Sequence, residues 1–173
     1  AAAAEAGAAI INDISAGRMD PDLLSTVAKT GLPYVLMHMQ GRPDHMQDHP
    51  VYADVTGEVH EFLVQGRQHC LELGIRDVIL DPGFGFGKTI DHNFELLRNL
   101  SVFRIAGAPL LVGLSRKSTV YKTLGTTADQ ALNGTTVMHT IGLLNGAQLL
   151  RVHDVKEAVE AISLVEKYRP GWQ

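Results

Sequence analysis

A chain of 173 residues, 45% hydrophobic and with a formal net charge of −4, has apolar material for one core and no electrostatic case for nucleic acid or an anionic membrane surface. Its single cysteine, Cys70, excludes an internal disulfide and suits a reducing compartment. No apolar run approaches a membrane span and the start has no basic signal region, so a cytoplasmic protein is expected.

The opening AAAAEAGAA carries no functional weight. Five short apolar runs then follow Gly- or Pro-bearing turns. The first is 9–14 (AIINDI), after Gly7. Asp20 and Pro21 read as the cap and first turn of a helix whose apolar spacing continues over 22–29. Run 34–39 (YVLMHM) comes after Gly31-Leu32-Pro33, then a loop with His45 and His49 between Pro43 and Pro50, then a helix over 55–73. Gly74 precedes run 77–83 (DVILDPG), and 93–100 has helical spacing. Gly107-Ala108-Pro109 leads into 110–115 (LLVGLS), followed by a helix over 130–144. After Gly146 come the last run, 149–154 (LLRVHD), and a helix over 155–168.

Alternating buried strands and helices predict an α/β fold with a parallel sheet. In an open doubly wound sheet only strands at the switch point carry a site, whereas all strands of a closed barrel end at one mouth. Here every run ends in polar groups: Asn12-Asp13, Met37-His38, Asp81, Ser115 to Ser118, and Arg151 with His153. The expected fold is a (β/α)8 TIM barrel. Such a barrel has eight strands and about 250 residues. The five runs are therefore expected to be its last five βα units, a single domain over 1–173 with the first units lying N-terminal to it.

Asp81 to Lys88 reads DPGFGFGK and looks like a phosphate cradle. Gly83 stands one residue too close to Gly87-Lys88-Thr89 for a Walker loop, and glycines at 83, 85 and 87 do not make GxGxxG. What remains is a flexible turn behind a carboxylate, carrying two phenylalanines.

Each polar strand end has two readings. Asp81 can accept two parallel hydrogen bonds from an N–C–NH2 edge, or cap its own turn. Asn12 can meet a heterocycle edge, or close an Asx turn. Arg151 and His153, two apart on a strand, point one way and suit a phosphate or diphosphate, with Leu150 and Val152 facing the helices. The alternative is a salt bridge from Arg151 to Asp154. Lys117, between Ser115 and Ser118, can supply charge to a ring carbonyl or nitrogen, or belong to a solvated basic loop. Zinc chemistry and a serine nucleophile lack their motifs, since there is no HExxH and no GxSxG. Together the strand ends suggest two small molecules: a polar heterocycle with a phosphate leaving group, and a second one near Phe86.

The strings INDIS (11–15), MHMQGRP (37–43), DPGFGFGK (81–88), GLSRKS (113–118) and RVHDV (151–155) resemble dihydropteroate synthases, in that family's order over nearly the whole chain. The resemblance implies condensation of dihydropterin-methyl diphosphate with p-aminobenzoate to give 7,8-dihydropteroate and diphosphate, with sulfonamides competing for the aminobenzoate site. It implies that Asn12, Met37, Asp81 and Lys117 bind the pterin and that Arg151 and His153 hold the diphosphate. Phe86, Gly87, Ser115, Lys117 and Ser118 would border the aminobenzoate, and Lys117, Arg151 and His153 would carry the chemistry. Mg2+ is implied as cofactor, its protein ligand expected in the N-terminal units rather than in these residues, and a homodimer through the last helices is implied as well. The chain by itself is expected to be inactive. A methyltetrahydrofolate-type pterin-binding methyltransferase shares the Asp and Asn logic, but GLSRKS and RVHDV point away from it. A non-catalytic pterin- or phosphate-binding fragment and a phosphosugar barrel are the remaining alternatives.

Overall fold

The computed structural model describes residues 1–169, apart from the side chains of 105 and 106. One alanine-rich turn, α1 (Ala2–Glu5), precedes β1 (Ile11–Asp13). Then follow α2 (Leu23–Thr30), β2 (Tyr34–Met37), α3 (Val55–Glu72), β3 (Val78–Asp81) and α4 (Ile90–Arg98). A 3-10 helix (Leu100–Ala106) leads to β4 (Leu111–Val112), α5 (Ser118–Thr123), α6 (Leu132–Leu144), β5 (Leu149–Leu150) and α7 (Val155–Tyr168).

The strands lie in chain order and all parallel. β1 pairs with β2 and β2 with β3. A parallel bridge from Leu80 to Leu110 continues the arc to β4, which pairs with β5. The two faces differ in what covers them. Tyr34, Leu36, Val78, Leu80, Leu110 and Val112 join the main core with helix residues such as Val59, Leu63, Leu96 and Met138. Val35, Ile79 and Leu111, with Leu149, form a separate small cluster made only of strand residues. Helices on one face and a strand-only interior on the other are what an arc of a barrel requires, and a doubly wound sheet would carry helices on both. Burying a side chain such as Leu80 or Leu110 completely contributes ~1.5–3 kcal/mol.

Side-chain caps set the starts of α3 and α4. Asp54 caps α3, accepting from the Gly57 N–H at 2.9 Å, and Glu58 accepts from the N–H groups of Ala53 and Asp54 at 2.8 and 3.1 Å. α4 begins at Ile90, three residues before the expected start, because Thr89 and His92 form a capping box with histidine in the usual place of glutamate. The cap expected at Asp20 is displaced. Asp20 accepts from the Asp22 N–H at 2.9 Å in an Asx turn, and Asp22 takes the N-cap position. β4 and β5 are shorter than the runs that predicted them, and α5 and the 3-10 helix were not anticipated.

Candidate active site at the strand ends

Register places the candidates on one face. In parallel pairing, partnered residues point to the same side, and residues two apart share it. Asn12 pairs with Val35, and Met37 with Asp81. Asn12, Met37 and Asp81 therefore share the interior face with Val35 and Ile79. Leu149, two residues before Arg151, pairs with Leu111 on that same face.

The turn after β3 is held in place rather than flexible. Asp81 is buried, and one of its oxygens accepts from the Gly83 N–H at 2.7 Å, so it does cap its own turn. Its other oxygen accepts nothing among the described residues. Burial pushes the carboxyl pKa up, opposed by that N–H and by the charges of Lys117, Lys88 and Arg151. Glycine is required here for close approach: a Cβ on Gly83 would stand 1.8 Å from the His38 carbonyl oxygen, and one on Gly87 2.3 Å from that of Gln40. Asn93 is buried beneath the loop and accepts from the Gly85 N–H at 2.7 Å, and the Tyr52 hydroxyl donates to the Gly87 carbonyl at 2.8 Å.

Lys88 has no free role as a phosphate ligand. It is 3% exposed, and its Nζ donates to the carbonyls of Gly83 and Phe86 at 3.0 and 3.1 Å and to Nδ1 of His38 at 3.0 Å. Burial, chiefly, lowers its pKa to about 7, and lowers that of His38 to about 3, leaving the imidazole a neutral acceptor.

Lys117 crosses to this loop from the far side. Its Nζ donates to the Phe84 carbonyl and lies 4.8 Å from the centre of the Phe86 ring. Burial lowers its pKa to about 8, against the attraction of Asp81. Asp81, Lys117 and Phe86 are thus brought together by tertiary structure.

The β5 segment departs from simple alternation. The strand ends at Leu150, although the Arg151 N–H still donates to Val112 at 3.0 Å. The position of His153 is set instead by Ser115, whose Oγ accepts from the His153 N–H at 3.2 Å and lies 3.0 Å from its Nδ1. The Arg151–Asp154 bridge does not form. Asp154 takes a two-point hydrogen bond from Arg116, at 2.9 Å from Nε and 2.8 Å from Nη2. Among the described residues, the Arg151 guanidinium has no ion-pair partner. Ser118 opens α5, Gly87 lies in the turn, and Asn12 is exposed on edge strand β1 without a side-chain hydrogen bond among the described residues.

Sequence reasoning passed over Asn93 and Tyr52, left Lys88 and Arg116 without a role of their own, and gave Asp154 the wrong partner. DPGFGFGK itself contains Lys88, and GLSRKS contains Arg116. The signal was present, but their partners lie far along the chain. No group of three or more His, Cys, Asp or Glu able to hold a metal occurs among the described residues.

The family of pterin-binding enzymes matches residues 1–153. Over 165 residues the chain is 46% identical to the dihydropteroate synthase of Escherichia coli (strain K12), covering 94% of this chain and 58% of that protein. Among solved structures, Yersinia pestis dihydropteroate synthase with a sulfonamide drug superposes with a TM-score of 0.92 at 46% identity, over 96% of this chain and 61% of that one. The Thermus thermophilus enzyme in complex with 4-aminobenzoate gives a TM-score of 0.89 at 39% identity, over 94% and 67%. The chain thus spans about three fifths of the length of these relatives.

Proposed function

The chain belongs to the pterin-binding enzyme family, and from that premise we propose that the protein carrying it is a dihydropteroate synthase. It condenses dihydropterin-methyl diphosphate with p-aminobenzoate. The observation that carries this reading is the buried Asp81, with one carboxylate oxygen uncommitted, beside Lys117 and Phe86. A pterin's amino-amidine edge suits that oxygen, with Asn12 and Met37 on the same face supplying polar edge and lining.

Diphosphate departs first, taking the electron pair of the C–O bond. The aniline nitrogen then attacks the resulting pterin-methyl cation and loses a proton to solvent. Positive charge fixed at the leaving group serves such a step best, and Arg151 and His153 occupy that position after β5. Phe86, Gly87, Ser115, Lys117 and Ser118 border the aminobenzoate, and a sulfonamide would compete there. Ser115 acts through His153, to which its hydroxyl is already bound. No group of three or more His, Cys, Asp or Glu able to hold a metal occurs among the described residues, and Mg2+ needs only one or two carboxylates beside its waters and the phosphate oxygens. In this reading the ion accompanies the diphosphate, and no step here runs through it.

Residues 1–173 are read as one domain, the last five βα units of the barrel. A homodimer through α6 and α7 is supported by Val159, Leu164 and Tyr168 of α7, which are 54%, 72% and 75% exposed. A cytoplasmic location agrees with the lone free Cys70. No helix among the described residues is long and apolar enough to cross a membrane.

The test is formation of 7,8-dihydropteroate by the full-length protein from the two substrates, beside its Lys117→Ala variant. Product made by the former and lost by at least about tenfold in the latter supports the assignment. No product from the unsubstituted protein, with both substrates saturating, overturns it.

A further inference from the structure

Arg116 is the one residue between Ser115 and Ser118 that the proposed reaction leaves without a role. It is one of two non-glycine residues with a left-handed backbone among the described residues, at φ +52°. Such a conformation persists where surrounding contacts determine it. Those contacts are present: its N–H donates to the Thr135 hydroxyl at 3.0 Å, and Nη1 donates to the carbonyls of Ala128 and Asp129 at 2.9 and 2.7 Å. Nε and Nη2 grip both oxygens of Asp154.

Consecutive residues of an extended chain point to opposite sides. The left-handed turn at Arg116 sets that pattern aside. Ser115 reaches His153 and Arg116 reaches Asp154, making two adjacent rungs between the same two segments. Lys117, next in the chain, reaches the opposite way to Phe84 and Phe86. We propose that Arg116 is a positioning residue, whose grip on Asp154 sets the spacing between the Lys117 loop and the Arg151–His153 segment at which the leaving anion is held. This rests on the reading of Arg151 and His153 as diphosphate ligands.

The pair is partly covered, with 24% and 18% of the two side chains exposed. A forked guanidinium–carboxylate pair fixes orientation as well as adding energy. The role therefore predicts an effect on diphosphate binding that is larger than the effect on pterin binding, whatever the change in stability.

The experiment uses the full-length protein with Arg116→Lys, Asp154→Asn and the double variant. Each is titrated separately with inorganic diphosphate and with a 6-hydroxymethylpterin, and its thermal midpoint is recorded. Each single variant is expected to weaken diphosphate by about tenfold while changing pterin affinity by less than about twofold, and the double variant to be no weaker than the worse single one. Diphosphate affinity unchanged in both single variants, whatever the thermal midpoint does, overturns the proposal. Equal loss of pterin and diphosphate also overturns it, because the effect is then a general collapse of the mouth. If the unsubstituted protein binds pterin but not diphosphate, the anion reading fails and this inference with it. If Arg116→Lys does not fold, Asp154→Asn alone decides, because it keeps the arginine and its backbone contacts.

Discussion

The turn after β3 and the segments after β4 and β5 meet at one mouth, yet they are held in different ways. The turn is buried and wired to itself and its neighbours: Lys88 joins two of its carbonyls to His38, Asn93 holds Gly85, and Tyr52 holds Gly87. The later segments keep Arg151 and His153 exposed and rely on two side-chain rungs, Ser115 to His153 and Arg116 to Asp154. Reading a ligand edge needs one fixed carboxylate geometry, which burial provides. Holding and releasing a multiply charged anion needs positive charge that solvent can still reach.

The largest effect should come from the buried turn. Gly83→Ala puts a methyl group 1.8 Å from the His38 carbonyl on a backbone at φ +72°, and should cost ~3 kcal/mol or more in denaturant unfolding. A loss below about 1 kcal/mol would mean that the turn is far more pliable than its hydrogen bonds imply.

Asp81→Asn keeps the size and removes the charge. Pterin affinity should fall by about 2–3 kcal/mol, read by calorimetric titration, since the amide presents a donor where a donor must be met. Retained affinity would assign Asp81 to its turn alone.

Stability and aminobenzoate affinity should respond to pH in opposite directions. Lys88 titrates at about 7 when folded and near the usual ~10.4 when unfolded. Between those values the folded protein binds fewer protons than the unfolded chain, so stability should rise with pH. Lys117, at about 8, adds the same trend from its own pKa upward. Lys88→Met should therefore flatten the lower part of that rise in chemical unfolding measured between about pH 7 and 8. A slope that survives would place the titration elsewhere.

At the same time, deprotonation of Lys117 removes the cation that faces Phe86. Affinity for p-aminobenzoate should weaken by several fold as pH rises past about 8, and Lys117→Arg should abolish that trend. The smallest expected change is Phe86→Ala. It should cost about 1 kcal/mol of aminobenzoate affinity, with the thermal midpoint unmoved because the ring is only half-buried. A shift in the midpoint instead would make the ring part of the loop's packing.

By itself the sequence determined the five parallel strands, the barrel class and the list of polar strand ends. Each rests on local information: apolar runs of strand length, glycine and proline at turns, and residue types that cannot be buried without partners. It also placed Asp81, Lys117, Arg151 and His153 at or just after strand ends, because residues at strand ends converge in a barrel whatever the sequence between them. Tertiary structure alone decided which atoms are free. Lys88 closes a loop that looked like a phosphate cradle, and it is taken up by that loop, 3% exposed. Asp154 looked like the partner of Arg151 and belongs to Arg116, 38 residues away in the chain. The supposed flexibility of Gly83 and Gly87 turned out to be close approach to His38 and Gln40, contributed by the neighbouring strand's loop, while Gly85 faces Lys117. Local pattern names the chemistry a residue can do, but a donor or acceptor satisfied across the fold is no longer available to do it, and that accounting is made only in three dimensions.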